Sequence, residues 1–146
     1  MKRYGKDEKH VIRQASEEDI PSIVSLICSE PGMWQKAWSD DVVHRALESS
    51  NGLAFVCDEN AIQGFVCAHD VGFRGYVSDL VVSAQARGKG IGRCLMQRVQ
   101  SELAQRGCHL VMADVWHEAM PFYESIGWAQ VCSPVKLMKM DLKNAP

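Results

Sequence analysis

No apolar run in the 146 residues approaches the ~20 that a membrane-spanning helix needs. The start of the chain, MKRYGKDEKH, is charged with no apolar stretch after it, so no secretory leader is expected. Basic excess is missing too: 16 Lys and Arg face 18 Asp and Glu, a net charge of −2 with His neutral. A general nucleic-acid or anionic-membrane binder would carry the opposite balance, so neither partner is expected. The cysteines Cys28, Cys57, Cys67, Cys94, Cys108 and Cys132 never stand closer than ten positions apart, which removes C-x-x-C and C-x-x-H metal spacing. No metal is expected. Cys57 and Cys67 fall in apolar strand-like runs, where a free thiol behaves as a small buried hydrophobe; reduced thiols in a cytoplasmic protein follow. No repeat, low-complexity tract or long linker divides the sequence. One domain over residues 1–146 is expected, with 1–7 a flexible N-terminus. At 47% hydrophobic content that length supports one core, burying roughly 70% of the unfolded surface.

What is present is a change of hydrophobic period along the chain. Residues 8–14 read as a short strand. Ile20, Ile23, Val24 and Ile27 recur at helical spacing, and Pro21 fits only the first turn, which puts the N-cap near Asp19. The loop 30–38 holds Trp34 and Trp38, which either line a pocket for an apolar or cationic ligand or pack the loop itself. Ser39 with Asp40 and Asp41 starts a second helix, 40–49. Residues 52–58 and 61–70 form a hairpin turning at Glu59 and Asn60, and 73–83 a further strand. From Gly90 to Arg106, Ile91, Leu95, Val99 and Leu103 make one helical stripe stopped by Gly107. A strand at 109–115, a short helix at 119–126 ended by Gly127, and one or two closing strands over 128–142 complete the order. It predicts an α/β fold: a mostly antiparallel mixed sheet of six to seven strands with helices on both faces.

The stretch Gln85-Ala86-Arg87-Gly88-Lys89-Gly90-Ile91-Gly92 lies between a strand and the long helix. Glycines let backbone approach a ligand closely, and a helix start offers unpaired N–H groups and the positive end of its dipole. Arg87 and Lys89 add charge, so recognition of a phosphate or diphosphate is implied. No G-x-x-x-x-G-K-[ST] loop is present, and Gly88, Gly90 and Gly92 are spaced two and two, unlike the dinucleotide fingerprint.

Gln85, Gly88 and Gly90 instead resemble the Q/R-x-x-G-x-G/A signature of the GNAT N-acetyltransferase family. Ala119-Met120-Pro121-Phe122-Tyr123-Glu124-Ser125-Ile126-Gly127-Trp128 resembles its A-x-x-F-Y-E-x-x-G-F/W segment, and Leu80-Val81-Val82 its L-x-V strand ending. The resemblance is specific over 73–130; over 8–72 only the element order agrees. It implies transfer of acetyl from acetyl-coenzyme A to a primary amine by direct attack in a ternary complex. The acceptor would be a small molecule, a peptide N-terminus or a lysine.

The same resemblance assigns roles. Strands 73–83 and 109–115 would part at one end to admit the pantetheine arm, along the backbone of Leu80, Val81 and Val82. The N–H of Val82 would face the thioester carbonyl and stabilise the oxyanion. The amides of Arg87, Gly88, Lys89, Gly90, Ile91 and Gly92 would hold the diphosphate, and the Tyr123 hydroxyl would protonate the leaving thiolate. Two positions depart from the pattern. Ser78 stands where relatives carry the glutamate that serves as base, which leaves Asp79, re-aimed by a bulge, as the candidate; Tyr76, Glu118 and an ordered water chain stay open. Trp116 replaces the usual asparagine, and neighbouring His117 could remake its contact to the pantetheine arm. These departures also motivate an alternative, a catalytically silent coenzyme A-binding regulatory module. Homodimers are common in the family, and nothing in the sequence decides that point.

Overall fold

The computed structural model describes residues 10–131 and 134–143. The expected flexible segment 1–7, the first two residues of the strand read at 8–14, and Cys132 lie outside them. The chain divides into two compact units, one ending at Asp114 and one beginning at Val115.

The first unit is built on a sheet in the order β1-β2-β3-β4-β5: Ile12–Gln14, Ala54–Glu59, Ala61–Asp70, Gly75–Val82 and Val111–Ala113. Neighbours from β1 to β4 are antiparallel, and β5 joins β4 in parallel. The six to seven strands read from the sequence are therefore corrected to five among the described residues. The shortfall lies in the closing segment. Val135, Leu137, Met138, Met140 and Leu142 are exposed, and no sheet pairing joins this stretch among the described residues. Apolar patterning becomes a strand only where a neighbouring backbone takes up its N–H and C=O groups.

Helices α1 (Ile20–Ser29) and α2 (Asp40–Ser50) cover one face of the sheet. Ile23, Leu26, Ile27 and Val43 share a core there with Ala54, Val56, Phe65, Cys67 and Val81. Helix α3 (Ile91–Gln105) covers the other face with the stripe Ile91, Leu95, Val99 and Leu103, each no more than 2% exposed. It packs closest at Gly64 and Gly75, where a Cβ would come within 2.9 Å of Leu95 and 2.7 Å of Leu103 respectively.

Local chemistry sets the helix ends. Asp19 is the N-cap of α1, with Pro21 in the first turn as its spacing predicts. Its carboxylate accepts the Ser16 N–H at 2.9 Å and the Arg13 guanidinium at 2.7 and 2.8 Å. Ser39 caps α2 through its carbonyl, which accepts the Val42 N–H at 3.0 Å; its hydroxyl makes no capping bond. Gly107 leaves α3 at φ 95°.

The second unit opens with a 3-10 turn, His117–Ala119, and helix α4, Met120–Ser125, followed by Gly127 at φ 97°. No helix among the described residues is long and apolar enough to cross a membrane. The described cysteines, Cys28, Cys57, Cys67, Cys94 and Cys108, are free thiols.

Candidate functional site

The turn from β4 into α3 is open. Residues 87–90 are exposed, Gly88 and Gly90 hold φ of 78° and 86°, and a Cβ built on either would meet nothing within 4 Å. Left-handed backbone of this kind favours glycine. The first helical bond across the turn runs from the Cys94 N–H to the Gly90 carbonyl at 3.0 Å. The N–H groups of Arg87 through Arg93 form no hydrogen bond among the described residues. A row of unbonded amides thus stands at the electropositive start of a long helix, the arrangement that binds anions. Ile91 contributes only its N–H, because its side chain is core.

Two contacts at the turn carry no sequence signature. The Arg87 guanidinium pairs with the Glu30 carboxylate at the end of α1, and its Nε donates to the Val82 carbonyl at 3.3 Å. The Lys89 carbonyl lies 2.6 Å from Nε2 of the buried His10. Part of the positive charge expected of Arg87 is therefore already matched, whereas Lys89 has no ion pair among the described residues.

Next to the turn, β4 and β5 separate. Their pairing covers Gly75–Val77 against Val111–Ala113, and β4 then continues from Ser78 to Val82 without β5. The Ser83 N–H donates to the Gln63 carbonyl at 2.8 Å. Backbone groups alternate sides along a strand, so Val81 also addresses β3 while Leu80 and Val82 address the opening. Val81 itself is buried in the core.

A bulge sits on β4 beside this opening. Cys67 pairs with Asp79 and Ala68 with Val77, which leaves Ser78 unmatched. A bulge of this type turns two successive side chains toward one face. Asp79 opposes Cys67 and lies two residues from Val81, both members of the core under α1 and α2, so its carboxylate belongs to that face. The Ser78 hydroxyl meets His69 Nε2 at 3.0 Å, and Nδ1 of the same ring lies 3.3 Å from the Ser49 hydroxyl on α2. Burial, with the Asp79 charge second, pushes the Cys67 thiol up to about 12. Tyr76 completes the cluster. Burial raises its phenol well above the usual range, and a hydrogen bond to Asp114 and the charges of Asp114 and Asp79 act the same way. The phenol is thereby favoured in its protonated form, which can donate a hydrogen bond. Sequence reasoning missed His69, Ser49 and Asp114; only the strand register, with His69 opposite Tyr76, assembles them.

In the second unit, Tyr123 lies on α4, buried, with its ring edge-on to Phe122 at 5.4 Å and to Trp128 at 5.3 Å. Trp128 also returns its N–H to the Tyr123 carbonyl at 3.0 Å. The motif residues thus fix one another. Trp116 is 55% exposed and His117 is exposed in the 3-10 turn. In the first unit, Trp34 packs partly buried against the α1–α2 core, with Trp38 edge-on to it at 5.5 Å.

His10, Cys57 and Glu59 have ligand atoms within 4.8 Å of one another. Both imidazole nitrogens already face acceptors, Glu59 and the Lys89 carbonyl, and burial pushes the Cys57 thiol up to about 11. The trio fits a hydrogen-bond network.

Residues 20–128 match the Acetyltransferase (GNAT) family. A rice (Oryza sativa subsp. japonica) glucosamine 6-phosphate N-acetyltransferase 1 is 25% identical over 140 residues, covering 86% of this chain and 85% of its own length. The glucosamine 6-phosphate N-acetyltransferase of Trypanosoma brucei brucei is 31% identical over 68 residues, 47% of this chain but only 44% of the relative. Among solved structures, a chain of the NatC complex bound to Gag peptide and CoA superposes with a TM-score of 0.71 at 22% identity, covering 83% of this chain and 85% of that one.

Proposed function

Because the chain belongs to the GNAT acetyltransferase family, we propose that it transfers acetyl from acetyl-coenzyme A to a primary amine by direct attack in a ternary complex. The observation that carries this reading is the row of unbonded amides from Arg87 to Arg93, beside the opening between β4 and β5. The residues fit the cosubstrate. Space lies open beyond Gly88 and Gly90 where side chains would otherwise stand, and the backbone of Leu80 and Val82 addresses the gap.

Bound acetyl-coenzyme A supplies the acyl carbon, exchanging its C–S bond for a C–N bond to the amine and leaving as the thiol. The amides of Arg87, Gly88, Lys89, Gly90, Ile91 and Gly92 hold the diphosphate, with Lys89 adding charge. Leu80 and Val82 pair with the extended arm as a further strand would, and the Val82 N–H donates to the carbonyl that reacts. Asp79 takes the proton from the attacking amine, and Tyr123 returns one to sulfur. An alkyl amine near pKa ~10.4 is almost wholly protonated at neutral pH, a handicap of roughly 4–5 kcal/mol, so a carboxylate near the acceptor has a defined task. The relatives' names make glucosamine 6-phosphate the first acceptor to try, and a peptide, such as the one bound to the NatC complex, the second.

One observation favours a second reading, a coenzyme A-binding regulatory module. Ser78 occupies the usual position of the base, and its hydroxyl is tied to His69. A thiol-release assay with acetyl-coenzyme A and a panel of amines, run beside calorimetry with coenzyme A, separates the two. Binding with acceptor-dependent thiol release supports the transferase, binding without release supports the module, and absence of binding contradicts both. In the transferase, Tyr123→Phe lowers kcat roughly 10²-fold while coenzyme A affinity stays within about twofold. Unchanged turnover would remove the tyrosine's assigned role.

A further inference from the structure

The contact between His10 and the Lys89 carbonyl crosses 79 positions of sequence to reach the middle of the phosphate cradle. The imidazole is only 8% exposed. Its Nδ1 lies 2.9 Å from one oxygen of Glu59 and 3.2 Å from the other, and its Nε2 lies 2.6 Å from the Lys89 carbonyl. A carbonyl can only accept. Glu59 is likewise an acceptor, since the Val11 N–H, and next His10 itself, hold its carboxyl below the usual carboxylate range. An imidazole satisfies two acceptors only when both nitrogens carry hydrogen, which is the cation; the neutral ring must abandon one of them.

We propose that His10 is a positioning residue that, as the imidazolium, clamps the turn at Lys89 to β2 and thereby presets the cradle amides for a diphosphate. The inference rests on the cradle reading given above. Gly88 and Gly90 flank Lys89 and give the turn freedom that must otherwise be lost on binding. Pinning the carbonyl between them removes part of that cost beforehand. Deprotonation releases one end of the clamp, so diphosphate affinity falls as pH rises.

The other titratable groups around the ring do not supply this dependence. From β2, Glu59 stays ionised and Cys57, pushed up to about 11, stays neutral across the neutral range. Asp58 is engaged by Arg13 at 3.1 Å. From α3, Cys94 adjoins Cys57. Lys89 meets the ring with its carbonyl.

The test is the affinity of dephospho-coenzyme A, measured by calorimetry at intervals from about pH 5.5 to 8.5. This probe lacks the phosphomonoester that would itself titrate near pH ~6. Wild-type protein should lose roughly five- to thirtyfold in affinity across that range, the loss of one charge-assisted hydrogen bond. His10→Ala should bind weakly throughout, with a flat profile. Glu59→Gln is the rescue variant. Its carboxamide can accept the Val11 N–H and donate to Nδ1, so a neutral ring keeps both partners and affinity stays high and flat. A wild-type slope retained in His10→Ala, or in Glu59→Gln should the alanine variant not fold, overturns the proposal. Absence of binding by wild type at every pH would instead overturn the cradle reading, so the two failures are distinguishable.

Discussion

Asp19 illustrates how a single residue is used twice. It caps α1 and accepts two bonds from Arg13, and Arg13, more than the capping contacts at Ser16, holds its carboxyl below the usual range. A carboxyl whose folded pKa is depressed adds stability above its unfolded value and loses it as pH falls through the folded one. Asp19→Ala should cost about 2–3 kcal/mol in urea denaturation at pH 7, shrinking as pH falls below the ordinary carboxylate value of about 3.9 toward the depressed folded one; a gap independent of pH would contradict this role. Arg87 is also shared, between the cradle and Glu30. An exposed ion pair is worth about 0–1 kcal/mol. Glu30→Gln should therefore free the guanidinium and tighten coenzyme A binding, by up to about fivefold in calorimetry. Weaker binding would instead mean that Glu30 aims Arg87 into the site. The sequence named Arg87 through its motif but not Glu30, because a contact across 57 positions has no local signature.

Elements were legible in proportion to their periodicity. The stripe Ile91, Leu95, Val99 and Leu103 identified α3 and its buried face outright, and Pro21 located the start of α1. The bulge at Ser78 was readable only as one option, since a strand sequence does not say where its partner's register slips. Of the polar cluster, Tyr76 was named as an open candidate, but His69, Ser49 and Asp114 were not legible, for the same reason. The closing strands show the opposite failure: Leu137 and Met138 look like strand residues, yet pairing decides. Packing between elements is tested at Gly75. A Cβ there would lie 2.7 Å from Leu103 Cδ1 and 2.9 Å from Cδ2, inside the filled α3 face. Gly75→Ala should destabilise the fold by about 1–3 kcal/mol through overpacking. A neutral result in thermal or urea melts would show that α3 yields at this point.

At the scale of the molecule, the sheet, the bulge and α3 matter because together they leave a row of amides without hydrogen bonds among the described residues, beside a stretch of β4 that runs on past the end of β5. Coenzyme A is the ligand proposed to complete both. Amide mapping by ¹H–¹⁵N correlation spectra during titration with coenzyme A tests this most directly. Coenzyme A held in this way should give saturable shifts concentrated at Arg87–Arg93 and at Leu80 and Val82, with slowed hydrogen exchange at those amides. Saturable shifts elsewhere that leave 87–93 unmoved, or no shifts at all, would contradict it.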